Sequence, residues 1–147
     1  MNISERIQQD TKDAMKSRDR RRTETLRMLN AALKNREIEV GQPLTEDEEQ
    51  AVLKKQLKQR EESADAFRKA GREERAESES AEAEVVREYL PEPLSREEME
   101  HIVDQAIDET GASSMKEMGA VMGRATALAG GKAEGRELSA LVRSRLQ

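Results

Sequence analysis

Apolar residues return every three or four positions along most of the chain, the spacing of one buried face on a helix. A first helix is expected from about Ile3 to Ser17, with Ile3, Ile7, Ala14 and Met15 apolar. A second runs from about Arg20 to Glu39, where Leu26, Leu29, Leu33 and Val40 mark the buried stripe. Gly41 and Pro43 then break the pattern. Thr45 and Glu48 have the spacing of a capping box and open a third helix. The run Glu46, Asp47, Glu48, Glu49 suits the positive end of that helix and reads as solvated. Leu53, Leu57, Arg60, Ala64 and Phe67 then alternate steps of four and three, a heptad seam.

A fourth helix is expected from about Glu73 to Tyr89, with the seam Ala76, Glu79, Ala83, Val86, Leu90. It is rich in alanine and poor in large apolar residues. Its expected partner is the third helix, in an antiparallel hairpin turning near Gly71. Pro91 and Pro93 bias the residues before them away from helix and mark a domain boundary. Three short helices follow. Ser95 and Glu98 form a second capping box ahead of Met99, Ile102, Val103, Ala106 and Ile107. Ser114 with Glu117 is expected to open the next helix, and Gly130–Gly131 to end it. Leu138, Leu141, Val142 and Leu146 line the last. The expected fold is therefore all-α: a helical N-terminal part with a long hairpin over 1–92, and a C-terminal three-helix bundle over 93–147.

Composition narrows the chemistry. Charged residues make up 39% of the chain and hydrophobic ones 35%, a profile that raises the question of disorder. The net charge of only −5 and the sustained helical periodicity answer it. There is no cysteine, so no disulfide, thiolate nucleophile or Cys-ligated metal. A single histidine, His101, excludes a multi-histidine metal site. One Phe, one Tyr and no Trp exclude an aromatic platform for stacking bases. No apolar run reaches the ~20 residues of a membrane span. The N-terminus lacks a signal-peptide core, and a cytoplasmic location with no membrane partner is expected. Charge is uneven: a basic excess clusters at Lys16, Arg18, Arg20, Arg21, Arg22 and Arg27 in an otherwise acidic chain.

Catalytic constellations are sparse. The carboxylates Glu77, Glu79, Glu82, Glu84 and Glu88 lie on a helix too polar to bury several of them, so they read as a solvated face. His101 reads as an exposed ring at the edge of an apolar face. The segment at 130–135, GGKAEG, lacks the spacing of a phosphate loop and reads as a helix–helix turn. No catalytic residue, cofactor or metal is expected. Gly119 and Gly123, four apart, share one helix face. Their missing Cβ atoms suit either tight packing or the close approach of a partner backbone or RNA phosphate.

Several stretches resemble the GatB/YqeY domain family. They are Leu26-Arg27-Met28-Leu29 through Glu37, Lys58-Gln59-Arg60 with Ser63, Gly71-Arg72 and Tyr89-Leu90-Pro91. In the last domain Met118-Gly119-Ala120-Val121-Met122 and Gly131-Lys132-Ala133-Glu134-Gly135 continue the match. Their order covers essentially the whole chain and is most similar to the stand-alone YqeY-like proteins. The resemblance implies an all-α fold whose C-terminal bundle is similar to the tail of the B subunit of tRNA-dependent amidotransferase, which contacts tRNA. The family's label of carbon–nitrogen ligase, with glutamine as amide donor, belongs to domains this chain does not resemble. Two departures stand out. Gly123 occupies a position that is commonly lysine in the family, and Lys132 and Glu134 stand where arginine and aspartate are common.

Three functions follow from these readings. The first is a non-catalytic protein whose C-terminal domain contacts tRNA or tRNA-linked machinery through Lys116, Arg124, Lys132, Arg136 and Arg143, with Gly119 and Gly123 admitting the backbone. In this reading Lys116 and Arg124, eight apart, share a helix face. The second is a protein–protein adaptor using the helical hairpin. The third is an amidotransferase accessory or enzyme, the carbon–nitrogen ligase that the family label implies.

Overall fold

A computed structural model describes residues 1–147 and contains helices and no strand. The helices are α1 (Ile3–Lys16), α2 (Arg20–Val40), α3 (Glu46–Lys69), α4 (Glu73–Arg87), α5 (Arg96–Thr110), α6 (Met118–Ala129) and α7 (Gly135–Leu146). The chain divides into two compact units, Met1–Leu90 and Pro91–Gln147.

The N-terminal unit closes around Ile3, Ile7, Leu26, Leu29, Leu33, Leu53, Val86 and Tyr89. Two positions depart from the periodicity. Met15, expected on the apolar face, is 51% exposed. Thr11 takes a buried place instead, its hydroxyl donating to the Ile7 carbonyl at 2.6 Å and accepting from Asn30 at 3.3 Å. A threonine can do this because its methyl packs while its hydroxyl bonds back one turn. On α2 no residue beyond Leu33 is buried, so Val40 does not extend the stripe.

The acidic opening of α3 is not uniformly solvated. Thr45 and Glu48 form the expected capping box, at 3.2 and 3.0 Å. Glu49, by contrast, is 2% exposed. Its carboxylate accepts from the Ser4 backbone N–H at 2.9 Å and the Ser4 hydroxyl at 2.8 Å. Asn2 caps the same end of α1 by accepting from Glu5 N–H at 2.8 Å. The buried anion thus sits at the positive end of α1 and satisfies one of its orphan donors.

Helices α3 and α4 form the hairpin, turning at Gly71 with φ +74°. Buried Ala64, Ala76 and Ala83 let the two helices lie close. The carboxylates of α4 are also not all solvated. Arg60 of α3 reaches Glu79 at 3.9 Å and Glu82 at 3.6 Å, and all three side chains are at least 70% buried. One guanidinium therefore serves two carboxylates. Burial, then the neighbouring Glu79 charge, raises the Glu82 pKa above the ordinary carboxylate range, against the pull of Arg60.

In the C-terminal unit α5, α6 and α7 bury Val103, Ala106, Val121, Ala125, Leu138 and Val142. Ser95 and Glu98 cap α5 as expected. The start of α6 differs from expectation. Ser114 makes no side-chain cap, and a 3-10 turn spans Met115–Glu117 before α6 begins at Met118. The Glu117 carboxylate accepts instead from Ser113 N–H at 3.1 Å. A side chain that bonds back to the loop competes with the capping geometry.

Two outcomes test this packing. Tyr89 is the chain's only tyrosine and there is no tryptophan, so its emission reports the N-terminal unit. In urea titrations followed by that emission, Glu49→Ala is expected to cost about 2–3 kcal/mol, because it orphans the Ser4 donors, and Glu49→Gln about 1 kcal/mol. For Glu82, a carboxyl with a raised folded pKa adds stability at low pH that is lost as pH rises through that pKa. Glu82→Gln should therefore raise the unfolding midpoint at about pH 7 and leave it unchanged below about pH 4.

Candidate functional site

The buried carboxylates lie at two separate places and face other side chains. Glu49 is occupied by Ser4, and Glu79 and Glu82 are occupied by Arg60. No group of three or more His, Asp or Glu side chains could hold a metal. His101 is exposed and borders an open groove with Leu94, Glu97, Glu98 and Ile102. The GGKAEG segment is a turn: Gly130 and Gly131 have positive φ, and Lys132 N–H donates to the Ala129 carbonyl at 3.1 Å. The Lys132 carbonyl accepts from Leu94 N–H at 2.9 Å, which ties the start of this unit to the turn.

The glycines of α6 resolve one open alternative. A Cβ added at Gly119 or at Gly123 would have no neighbour within 4 Å. Tight packing inside the chain therefore does not explain them. Helix α6 buries Val121, Ala125 and Ala129 on one side. Gly119, Ala120, Gly123 and Ala127 are exposed, which leaves a bare strip of backbone toward solvent. Glycine costs ~1 kcal/mol relative to alanine in a helix interior.

The five expected basic residues separate into groups. Arg136 and Arg143 lie seven apart on α7, close to two turns, and both are exposed. Lys116 and Lys132 are exposed at the two ends of α6, in the 3-10 turn and in the loop to α7. None of these four forms an ion pair. Arg124 differs: its guanidinium pairs with Glu109 of α5. The hydrogen bond between them lowers the Glu109 pKa and raises that of Arg124. Lys116 lies in the 3-10 turn and Arg124 on α6, so the two are not carried by one continuous α-helix, and Arg124 is turned to its acid. Arg145 is engaged in the same way, by Asp104 at 2.9 Å.

The glycine strip yields a stability test. Gly119→Ala and Gly123→Ala should each raise stability by about 0.5–1 kcal/mol, because the added methyl meets no neighbour and lowers backbone entropy in the unfolded chain. Thermal melts followed by circular dichroism check it. A loss of stability would mean that something does pack there.

Known proteins extend the picture. The model of the Yqey-like protein family matches residues 4–146. A protein named altered inheritance of mitochondria protein 41, mitochondrial, from Pyrenophora tritici-repentis is 32% identical over 133 residues, covering 87% of this chain and 71% of its own length. Proteins of the same name from Clavispora lusitaniae and Eremothecium gossypii are 38% identical over 81 residues and 34% over 85. These matches cover 55% and 57% of this chain, and 47% and 46% of those proteins, so here the chain spans about half the relative's length. The family match runs through both helical units, and the chain belongs to the YqeY-like family.

Proposed function

We propose that the C-terminal unit contacts the sugar–phosphate backbone of folded tRNA, or machinery that carries it, without catalysing a reaction. The observation that carries this reading is the exposed strip Gly119, Ala120, Gly123 and Ala127, in a unit that also exposes four cations with no acidic partner. A helix bare of side chains admits a backbone closely, and unpaired guanidinium and ammonium groups suit phosphate. Arg124 contributes little, since Glu109 already balances it. The unit carries no Phe, Tyr or Trp and a single histidine, His101, so contact would follow RNA shape rather than base identity.

The other readings have less support. An adaptor that uses the hairpin would show an apolar seam to solvent. The exposed large hydrophobics are Met1, Met15, Met28, Ile38 and Met115, none of them on α3 or α4. An amidotransferase accessory would gather its buried carboxylates in a cleft, and those present are bonded to Ser4 or Arg60. The family's carbon–nitrogen ligase label therefore does not extend to this chain in our reading. No helix is long and apolar enough to cross a membrane. The reading keeps the cytoplasmic location expected from composition. The mitochondrial label belongs to the relatives that carry it in their name.

A titration of folded tRNA at low salt tests the proposal. Arg136→Ala/Arg143→Ala should weaken binding and make the salt dependence shallower by about two, one for each phosphate no longer neutralised. Gly119→Ala/Gly123→Ala should weaken binding while raising stability, a split that a purely structural role would not produce. Equal binding by wild type and both variants, or no binding at low salt, overturns the reading in favour of the adaptor.

A further inference from the structure

The N-terminal unit holds the densest positive charge in the chain. Residues 12–27 include Lys12, Lys16, Arg18, Arg20, Arg21, Arg22 and Arg27 against Asp13, Asp19 and Glu24. They fall at the end of α1, in the turn at 17–19 and at the start of α2. Two of these arginines turn toward α4 and its end. Arg22 pairs with Glu88 at 2.6 Å. Arg21 lines an open groove with Glu74, Arg75 and Glu77 of α4.

The remaining cations face outward. Lys12 and Lys16 lie one turn apart on α1. Arg20, Arg27 and Lys34 lie seven apart on α2, close to two turns, and make one stripe about 20 Å long. Arg27 donates to the Met15 sulfur at 3.6 Å, so the α2 stripe borders the α1 face that carries Lys12 and Lys16. All five are exposed, and none forms an ion pair. Of the nearby acids, Asp19 accepts from Arg22 N–H at 3.1 Å and Asp13 from Gln9 at 3.3 Å, while exposed Glu24, between Arg20 and Arg27 on α2, forms no ion pair and leaves the net charge of the face positive. At the turn, Arg18 holds a left-handed backbone at φ +61°, a conformation that favours glycine. Its side chain makes no bond that would offset this strain. Several other arginines are matched with acids, at Arg60, Arg68, Arg87, Arg124 and Arg145. Here the chain leaves like charges side by side, which works against folding.

We propose that this outer face of α1 and α2 docks the sugar–phosphate backbone of duplex RNA. A membrane surface would need an apolar helix face to insert. This face exposes two separated large apolar side chains, Met15 on α1 and Ile38 one turn past Lys34 on α2, rather than a continuous apolar stripe, while Ile3, Ile7 and Ala14 of α1 are in the core. A protein partner would need an apolar or aromatic centre to its interface, which is missing here. Phosphates need only cations, and a row of them meets a duplex in any register. The choice of RNA over DNA rests on the tRNA reading of the C-terminal unit. The choice of a phosphate backbone does not.

The test uses the full chain and a 20-base-pair RNA duplex of arbitrary sequence at about 50 mM salt. Lys16→Glu/Arg20→Glu/Arg27→Glu should weaken binding at least about tenfold and make the salt dependence shallower by about three. Lys16→Gln/Lys34→Gln, which removes charge without reversing it, should weaken it about threefold. Tyr89 emission verifies that both variants fold. Binding by either variant within twofold of wild type overturns the inference, as does absence of wild-type binding. So does tighter wild-type binding to the equivalent DNA duplex, to phosphatidylserine vesicles or to polyglutamate. Arg136→Ala/Arg143→Ala run in parallel separates the two surfaces. If only the N-terminal variants lose affinity, this inference stands and the C-terminal reading fails. If only the C-terminal variant loses affinity, the C-terminal reading stands and this inference fails.

Discussion

Tyr89 closes the N-terminal unit at the point where its last turn meets its first helix. The hydroxyl donates to Asp10 at 2.5 Å, across 79 positions of sequence, and Arg6 lies over the ring at 5.1 Å. Burial, then the bond to Asp10, raises the Tyr89 pKa and keeps the phenol protonated as a donor. The ring is 4% exposed and packs with Leu26, Leu29 and Leu53. An aromatic that is apolar in body and polar at one tip can join a core to a rim in this way. Near the start of the same first helix, the Glu49 carboxylate holds Ser4. Helix α1 is thus fastened by polar contacts at two places, and its short apolar stripe need not hold it alone.

A similar use of polar groups runs through the hairpin. Alanine in α4 brings α3 close, and at that distance the charges on the seam cannot all reach water. Arg60 then sits between Glu79 and Glu82, with the Met28 sulfur 3.7 Å from its guanidinium. The Arg60 Nε and one Glu79 oxygen are buried without a hydrogen bond. Such a cluster adds little net stability, because desolvation offsets much of the attraction.

In the C-terminal unit the division of labour is clearer. Valine, leucine and alanine make a core that leaves one side of α6 bare. Arg124 and Arg145 tie their helices to α5, whereas Arg136 and Arg143 tie nothing. In the N-terminal unit the same contrast separates Arg22 from Arg20 and Arg27. Cations that stabilise the fold and cations available to a ligand are distinct sets in both units.

Helix positions, the stop at Gly71, the capping boxes at Thr45 and Ser95 and most of the two cores were legible in the sequence. Each is encoded within a few residues, by periodicity, by a side chain that bonds to its own helix end, or by a backbone only glycine adopts readily. The locations of the basic cluster and of Gly119 and Gly123 were legible for the same reason. What those residues do was not. Whether Glu49 is solvated or buried depends on Ser4, 45 positions away. Whether Arg124 is free depends on Glu109 of another helix, and whether Gly119 meets a neighbour depends on where α5 and α7 lie. Periodicity assigns a residue to a face, but only the packed helices decide whether that face meets a core, a counter-charge or water.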